Sequence, residues 1–105
     1  MKRAEGALGR TIAEVFAQRA SLKDAPVEVR GQVVKFLPGI MGRNWLHLRD
    51  GSGSRERADD DLTVTTTQGA AVGDVVLVSG KLGVERDFGA GYTYSVIVED
   101  ASLSR

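Results

Sequence analysis

Near the start of the chain the apolar residues recur at helical spacing, and past a proline they recur about every second residue. In "TIAEVFAQRA" Ile12, Val15, Phe16 and Ala20 fall on one stripe, with Glu14, Gln18 and Arg19 turned largely toward water. Thr11 stands at the N-cap position, and Glu14 three residues later can reach back to the Thr11 amide, so the spacing predicts a capped helix over 11–22. Lys23-Asp24-Ala25-Pro26 stops it, because proline lacks an amide proton and restricts the residue before it.

Five strand-like segments follow. "VEVRGQVVKF" sets Val27 and Val29 against Glu28 and Arg30, with Gly31 where the alternation is expected to slip into a bulge or bend. Pro38-Gly39 predicts a turn and a loop from Pro38 to Arg43. In "NWLHLRDG" Leu46 and Leu48 point one way and Trp45, His47 and Arg49 the other, with Asp50-Gly51 as a hairpin signal. "SRERADDD" reads as a charged loop, and "LTVTTT" as a half-buried strand with Leu62, Val64 and Thr66 inward. "VVLVSGKLGV", kinked at Gly80 and Gly83, and "YTYSVIVEDASL", with Tyr92, Tyr94, Val96 and Val98 on one face, complete the set, joined by a loop from Arg86 to Gly91. The fold class is therefore all-β with a short N-terminal helix. Glycine kinks in the first and fourth of five strands suit a small five-stranded Greek-key barrel, the OB-fold. Residues 11–103 make up that single domain, helix included, and 1–10 a flexible N-terminal tail.

Fourteen basic and fourteen acidic residues cancel, so any attraction to nucleic acid must come from a local patch. Such a patch is present in the sequence. Arg30, Lys35, Arg43 and Arg49 lie in a stretch, 30–49, with no acidic residue. With no cysteine and one histidine, the chain has neither a thiolate metal site nor a cysteine nucleophile. The Asp59-Asp60-Asp61 run fails as a calcium loop, because Arg55 stands where glycine is needed and no glutamate closes the pattern. No catalytic residues, metal or cofactor are expected, and the chain reads as a non-enzymatic binding module. Its apolar runs are strand-sized, so no membrane insertion is expected. "MKRAEGALGR" has basic residues without an apolar run after them, which predicts a cytoplasmic location for the chain as it stands and a periplasmic one if an export signal has been removed.

"PGIMGRNWLHLRDGSG", "DLTVTT", "VGDVVLVSGKL" and "DFGAGYTYSVIVEDASL" together resemble a family of small bacterial OB-fold proteins, many of them exported. The resemblance covers roughly residues 11 to 103, and it implies the OB-fold and a nucleic-acid-binding, often DNA-binding, label. In that fold ligands lie across strands 2 and 3, between the 1–2 and 4–5 loops. The candidate ligand-binding residues are therefore Trp45, His47, Arg49, Lys35, Arg43, Arg86 and Phe88: an indole to stack a base, arginines and a lysine for phosphate, an imidazole for either. Two partner classes follow, single-stranded nucleic acid or, for an exported module of the bacterial envelope, a protein or small ligand docking on this face or on the Ile40-Met41 tip. The competing reading of Trp45 is packing, against the side of the barrel or beneath the helix with Phe16. Tyr92 and Tyr94 are expected to line the packed face of the last strand.

Overall fold

A computed structural model of the chain describes every residue from Met1 to Arg105. Two short helices, α1 (Ile12–Ala17) and α2 (Arg19–Leu22), precede five strands: β1 (Pro26–Ile40), β2 (Arg43–Arg49), β3 (Leu62–Thr66), β4 (Val75–Asp87) and β5 (Thr93–Ser104). The strands form one closed sheet in the order β1-β2-β3-β5-β4, in which β4 returns to pair with β1. Every pairing is antiparallel except β3 with β5. Neither helix is long and apolar enough to cross a membrane.

The capping box forms as its spacing requires. Thr11 Oγ1 accepts from the Glu14 amide at 3.1 Å, and Glu14 Oε1 accepts from the Thr11 amide at 2.9 Å. The other free amides of the first turn are taken by residues far along the chain. The Ile12 amide donates to Asp50 Oδ2 at 2.9 Å, the Ala13 amide donates to Ser52 Oγ at 3.0 Å, and the Ser52 hydroxyl donates to Asp50 Oδ1 at 2.6 Å. Asp50 is buried by this role, so the hairpin signal read at Asp50-Gly51 is a cap for α1. The helix is not continuous over 11–22. Gln18 leaves helical geometry (φ −102°, ψ 14°): its amide closes α1 on the Glu14 carbonyl, and its own carbonyl accepts from Ser21 and Leu22 to open α2. The break resets the helical phase, so Leu22 joins Ile12 and Val15 in the core while Ala20 is exposed.

The segment expected as a flexible tail lies against β1. The Glu28 amide donates to the Leu8 carbonyl and the Arg10 amide to the Glu28 carbonyl, each at 2.9 Å. Ala4 is buried, and a Cβ on Gly9 would stand 1.9 Å from the Ala4 carbonyl oxygen, which only glycine permits.

In β1 the alternation runs unbroken through Gly31, with Val27, Val29, Gly31 and Val33 all inward. The slip expected at Gly31 comes instead between Val33 and Lys35, where the register with β2 shifts. Gly31 is needed for close approach, since a Cβ there would lie 3.2 Å from Leu48 Cβ and 3.3 Å from the Arg49 carbonyl oxygen. The strand continues through Pro38-Gly39 to Ile40, and the expected loop from Pro38 to Arg43 reduces to Met41-Gly42. Both have positive φ (53° and 75°), as a two-residue hairpin turn demands. The kink expected at Gly80 is present: the β4–β5 register shifts between Ser79 and Lys81, and a Cβ at Gly80 would meet Val98 Cγ1 at 2.7 Å. Leu46, Leu48, Leu62 and Val64 fill the interior as the β2 and β3 patterns predict. The opposite face of β3 is covered as well, for Thr63 and Thr65 are both buried.

Leu48→Ala, which empties a fully buried site, is expected to cost about 2–5 kcal/mol in urea unfolding, and a loss under about 1 kcal/mol would reverse the assignment of faces. Three carboxyl groups titrate below their ordinary range. Glu14 is lowered chiefly by the Thr11 amide and then by Arg3. Asp59 is lowered by the Ser54 amide and then Arg57, and Asp74 by the Ala71 amide and then Arg105. A depressed folded pKa gives stability that is present above the ordinary carboxylate range and lost as pH falls through the folded value. The thermal midpoint should therefore drop on acidification below that range. Glu14→Gln, which keeps an acceptor for the Thr11 amide, should make the drop shallower, and an unchanged slope would count against the cap.

Candidate functional site

Because Leu46 and Leu48 face the core, strand geometry sends Trp45, His47 and Arg49 to the outer face of β2. The structure places Trp45 there, but covered: the residue is only 2% exposed. Its cover is not Phe16 but the distal part of the β4–β5 hairpin. The indole meets Phe88 edge-on with ring centroids 5.4 Å apart, Tyr94 at 5.8 Å and Tyr92 at 6.2 Å. Phe88 and Tyr94 also meet, at 6.1 Å. On its other side Trp45 Nε1 donates to the Ile40 carbonyl at 2.8 Å, which ties the β1–β2 turn to the same ring. The β1–β2 turn and the β4–β5 hairpin thus converge on Trp45. Burial, with Tyr92 beside it, raises the Tyr94 phenol above the ordinary tyrosine range.

The acid-free run of the sequence is met in space by acids from elsewhere in the chain. His47 Nδ1 lies 2.8 Å from Asp61 Oδ1, a donation to the carboxylate whenever that nitrogen carries the proton. Arg49 reaches toward Asp60 and Asp61 at 3.9 and 4.0 Å, too far for hydrogen bonds, and its buried Nε has no acceptor. Arg43 lies 3.7 Å from Asp100. Arg86 pairs with Glu99 at 2.9 Å and stacks over Phe88, its guanidinium carbon 5.2 Å from the ring centroid. Lys35, which is paired across the ladder with His47, has no carboxylate within ion-pair distance.

The "SRERADDD" segment is organised rather than simply solvated. The Asp59 carboxylate accepts from the Ser54 amide at 2.7 Å, while Asp60 and Asp61 turn toward β2. No group of three His, Cys, Asp or Glu side chains is arranged to hold a metal ion. A polar depression between Asp24, Lys81, Arg86, Glu99 and Asp100 lies beside the face. Two of its carboxylates, Glu99 and Asp100, already oppose candidate cations.

Of the residues expected at the site, Trp45, Phe88 and Arg86 are brought together, His47, Arg49 and Lys35 lie along the adjoining outer edge of β2 and β1, and Arg43 flanks them at the turn. Sequence reasoning missed Tyr92 and Tyr94 as partners of Trp45. The signal for Tyr94 was its alternation with Val96 and Val98, but that phase follows the core only where β5 is part of the closed sheet. No family model matches the sequence, and no curated protein or solved structure is found to be similar to it.

Replacing the buried indole by alanine should cost about 3–5 kcal/mol in denaturant unfolding, as for a core aromatic. Trp45→Phe should lose less, because it keeps the ring contacts and gives up only the hydrogen bond to Ile40. A free, solvent-facing Trp45 would instead show almost no cost for either change.

Proposed function

We propose that this chain is a non-enzymatic binding module of the OB-fold class, taking single-stranded nucleic acid weakly on the outer face of β2 and not across β3, both faces of which are buried. The strand order β1-β2-β3-β5-β4, with its one parallel pairing, fits a five-stranded Greek-key barrel. The observation that carries the functional reading is Trp45, an indole on the outer face of β2 where the β1–β2 turn and the β4–β5 hairpin meet, with cations beside it. Every base has a π-face, so an indole beside cations suits unpaired nucleotides without demanding a sequence. Weak affinity follows from the charge arrangement. Arg43, Arg49, Arg86 and His47 each face a carboxylate, so phosphates must displace those partners, and Lys35 alone among the candidates is unopposed.

A second reading, an exported interaction module for a protein partner, is favoured by one observation. The Met41 side chain at the β1–β2 tip is 49% exposed, next to the Ile40 carbonyl that holds Trp45. A large apolar side chain at such a tip suits a protein contact.

Titration of the protein with a mixed-sequence single-stranded DNA oligonucleotide at low salt tests the first reading. Trp45 fluorescence should fall on binding, and binding should weaken with salt at a slope of about −0.7 per phosphate contact, for no more than a few contacts. Absence of any fluorescence or mobility change at high micromolar oligonucleotide would discard nucleic acid and leave the protein-interaction reading.

A further inference from the structure

The hairpin that covers Trp45 is built differently from the rest of the sheet. β1 pairs with β4 only as far as Lys81, and β3 pairs with β5 only from Ile97 onward. Beyond those points, from Val84 and Val96 outward, β4 and β5 pair with each other alone. A two-stranded ribbon of this kind is at best marginally stable without a surface to lie on. Here the surface is Trp45, and the aromatic contacts of the ribbon with β2 fall on that one ring. Glu85, at the base of the ribbon, has φ of 53°, a left-handed setting in the middle of a strand, so the chain bends there. At the tip Gly89, Ala90 and Gly91 all have positive φ, and the tip amides bond within the turn itself: Phe88 to the Tyr92 carbonyl and Tyr92 to the Gly89 carbonyl. The Arg86–Glu99 ion pair and the Arg86–Phe88 stack likewise lie within the hairpin, so neither anchors it to β2.

Trp45 is therefore the best stacking surface on the proposed ligand face and at the same time nearly inaccessible. We propose that the distal β4–β5 ribbon is a lid on Trp45, closed in this conformation, and that single-stranded nucleic acid binds the form in which it has lifted. The inference rests on the nucleic-acid reading above and adds its regulation: the measured affinity is the intrinsic one reduced by the fraction of molecules with the lid open. Weakening the closed state should consequently tighten binding. That is the opposite of what the loss of a ligand-contacting aromatic would do.

The test uses Tyr92→Ala, at a half-exposed turn position where loss of the ring leaves the core intact, and Phe88→Leu as a second variant that keeps an apolar side chain. Trp45 is the only tryptophan, so acrylamide quenching without DNA reads its accessibility directly. Both variants should show more quenching than the wild type. Both should also bind the mixed-sequence single-stranded DNA oligonucleotide more tightly, by about threefold to tenfold, the scale of one aromatic pair. Unchanged quenching in both would mean the ribbon is not held through these rings, and would overturn the lid. Binding that is unchanged or weaker in a variant whose Trp45 has become quenchable would overturn the lid while leaving nucleic acid as the ligand. No binding by the wild type or by such a variant would remove the nucleic-acid reading, and the proposed purpose of the lid with it.

Discussion

Closure of the sheet depends on one strand serving two neighbours. β1 pairs with β4 along its first half and with β2 along its second, and the two ladders meet at Gln32, which has a partner on each side. A strand shared in this way has to turn as it crosses from one neighbour to the other. Gly31 allows the backbone to press against Leu48, and the register shift between Val33 and Lys35 supplies the bend. This join fixes which side chains of β2 are inside. A slip of one residue would send Leu46 and Leu48 to solvent and Trp45 and His47 into the core. The chemistry of the outer face is thus a consequence of how the sheet closes.

That face is electrically quiet but not locked. Its ion pairs are mostly long, from 3.7 to 4.0 Å for Arg43 and Arg49, and the guanidinium groups are partly exposed. Pairs of this kind contribute little, typically between zero and about 1 kcal/mol, because solvent screens them. A ligand phosphate can replace such a carboxylate at small cost, and so can a carboxylate on a partner protein. The aromatic cluster is held differently, by ring-on-ring contacts that exclude water from Trp45.

Local features were legible in the sequence, and features that depend on distant residues were not. The Thr11–Glu14 box, the inward Leu46 and Leu48, and the Gly80 kink each follow from residues a few positions apart, and each is found. The break at Gln18 was not legible, because the stripe through Ala20 fits a continuous helix equally well, and only the packing of Leu22 against the sheet selects the broken one. The segment 30–49 looked like a basic patch because its counter-charges lie elsewhere, in 60–61 and 99–100, and only the fold brings them across. Trp45 presented the same difficulty. Strand alternation placed it correctly on the outer face, but its burial is due to rings on a hairpin much later in the chain. Pro38-Gly39 misled for a different reason, in that β1 absorbs both residues as an irregularity, its register with β2 shifting between Leu37 and Ile40, and continues to the turn.

The hydrogen bonds from α1 to Asp50 and Ser52 tie the helix to the sheet. A helix of six residues cannot hold itself together in water, because nucleation costs more than so few hydrogen bonds return. Its first turn is completed by groups just beyond the end of β2, which are in position only once β2 lies in the sheet. The N-terminal helix is consequently conditional on β2, holding its shape only while the end of that strand supplies Asp50 and Ser52. Loss of those two side chains would let the helix fray from its first turn while the strand pairing stayed in place.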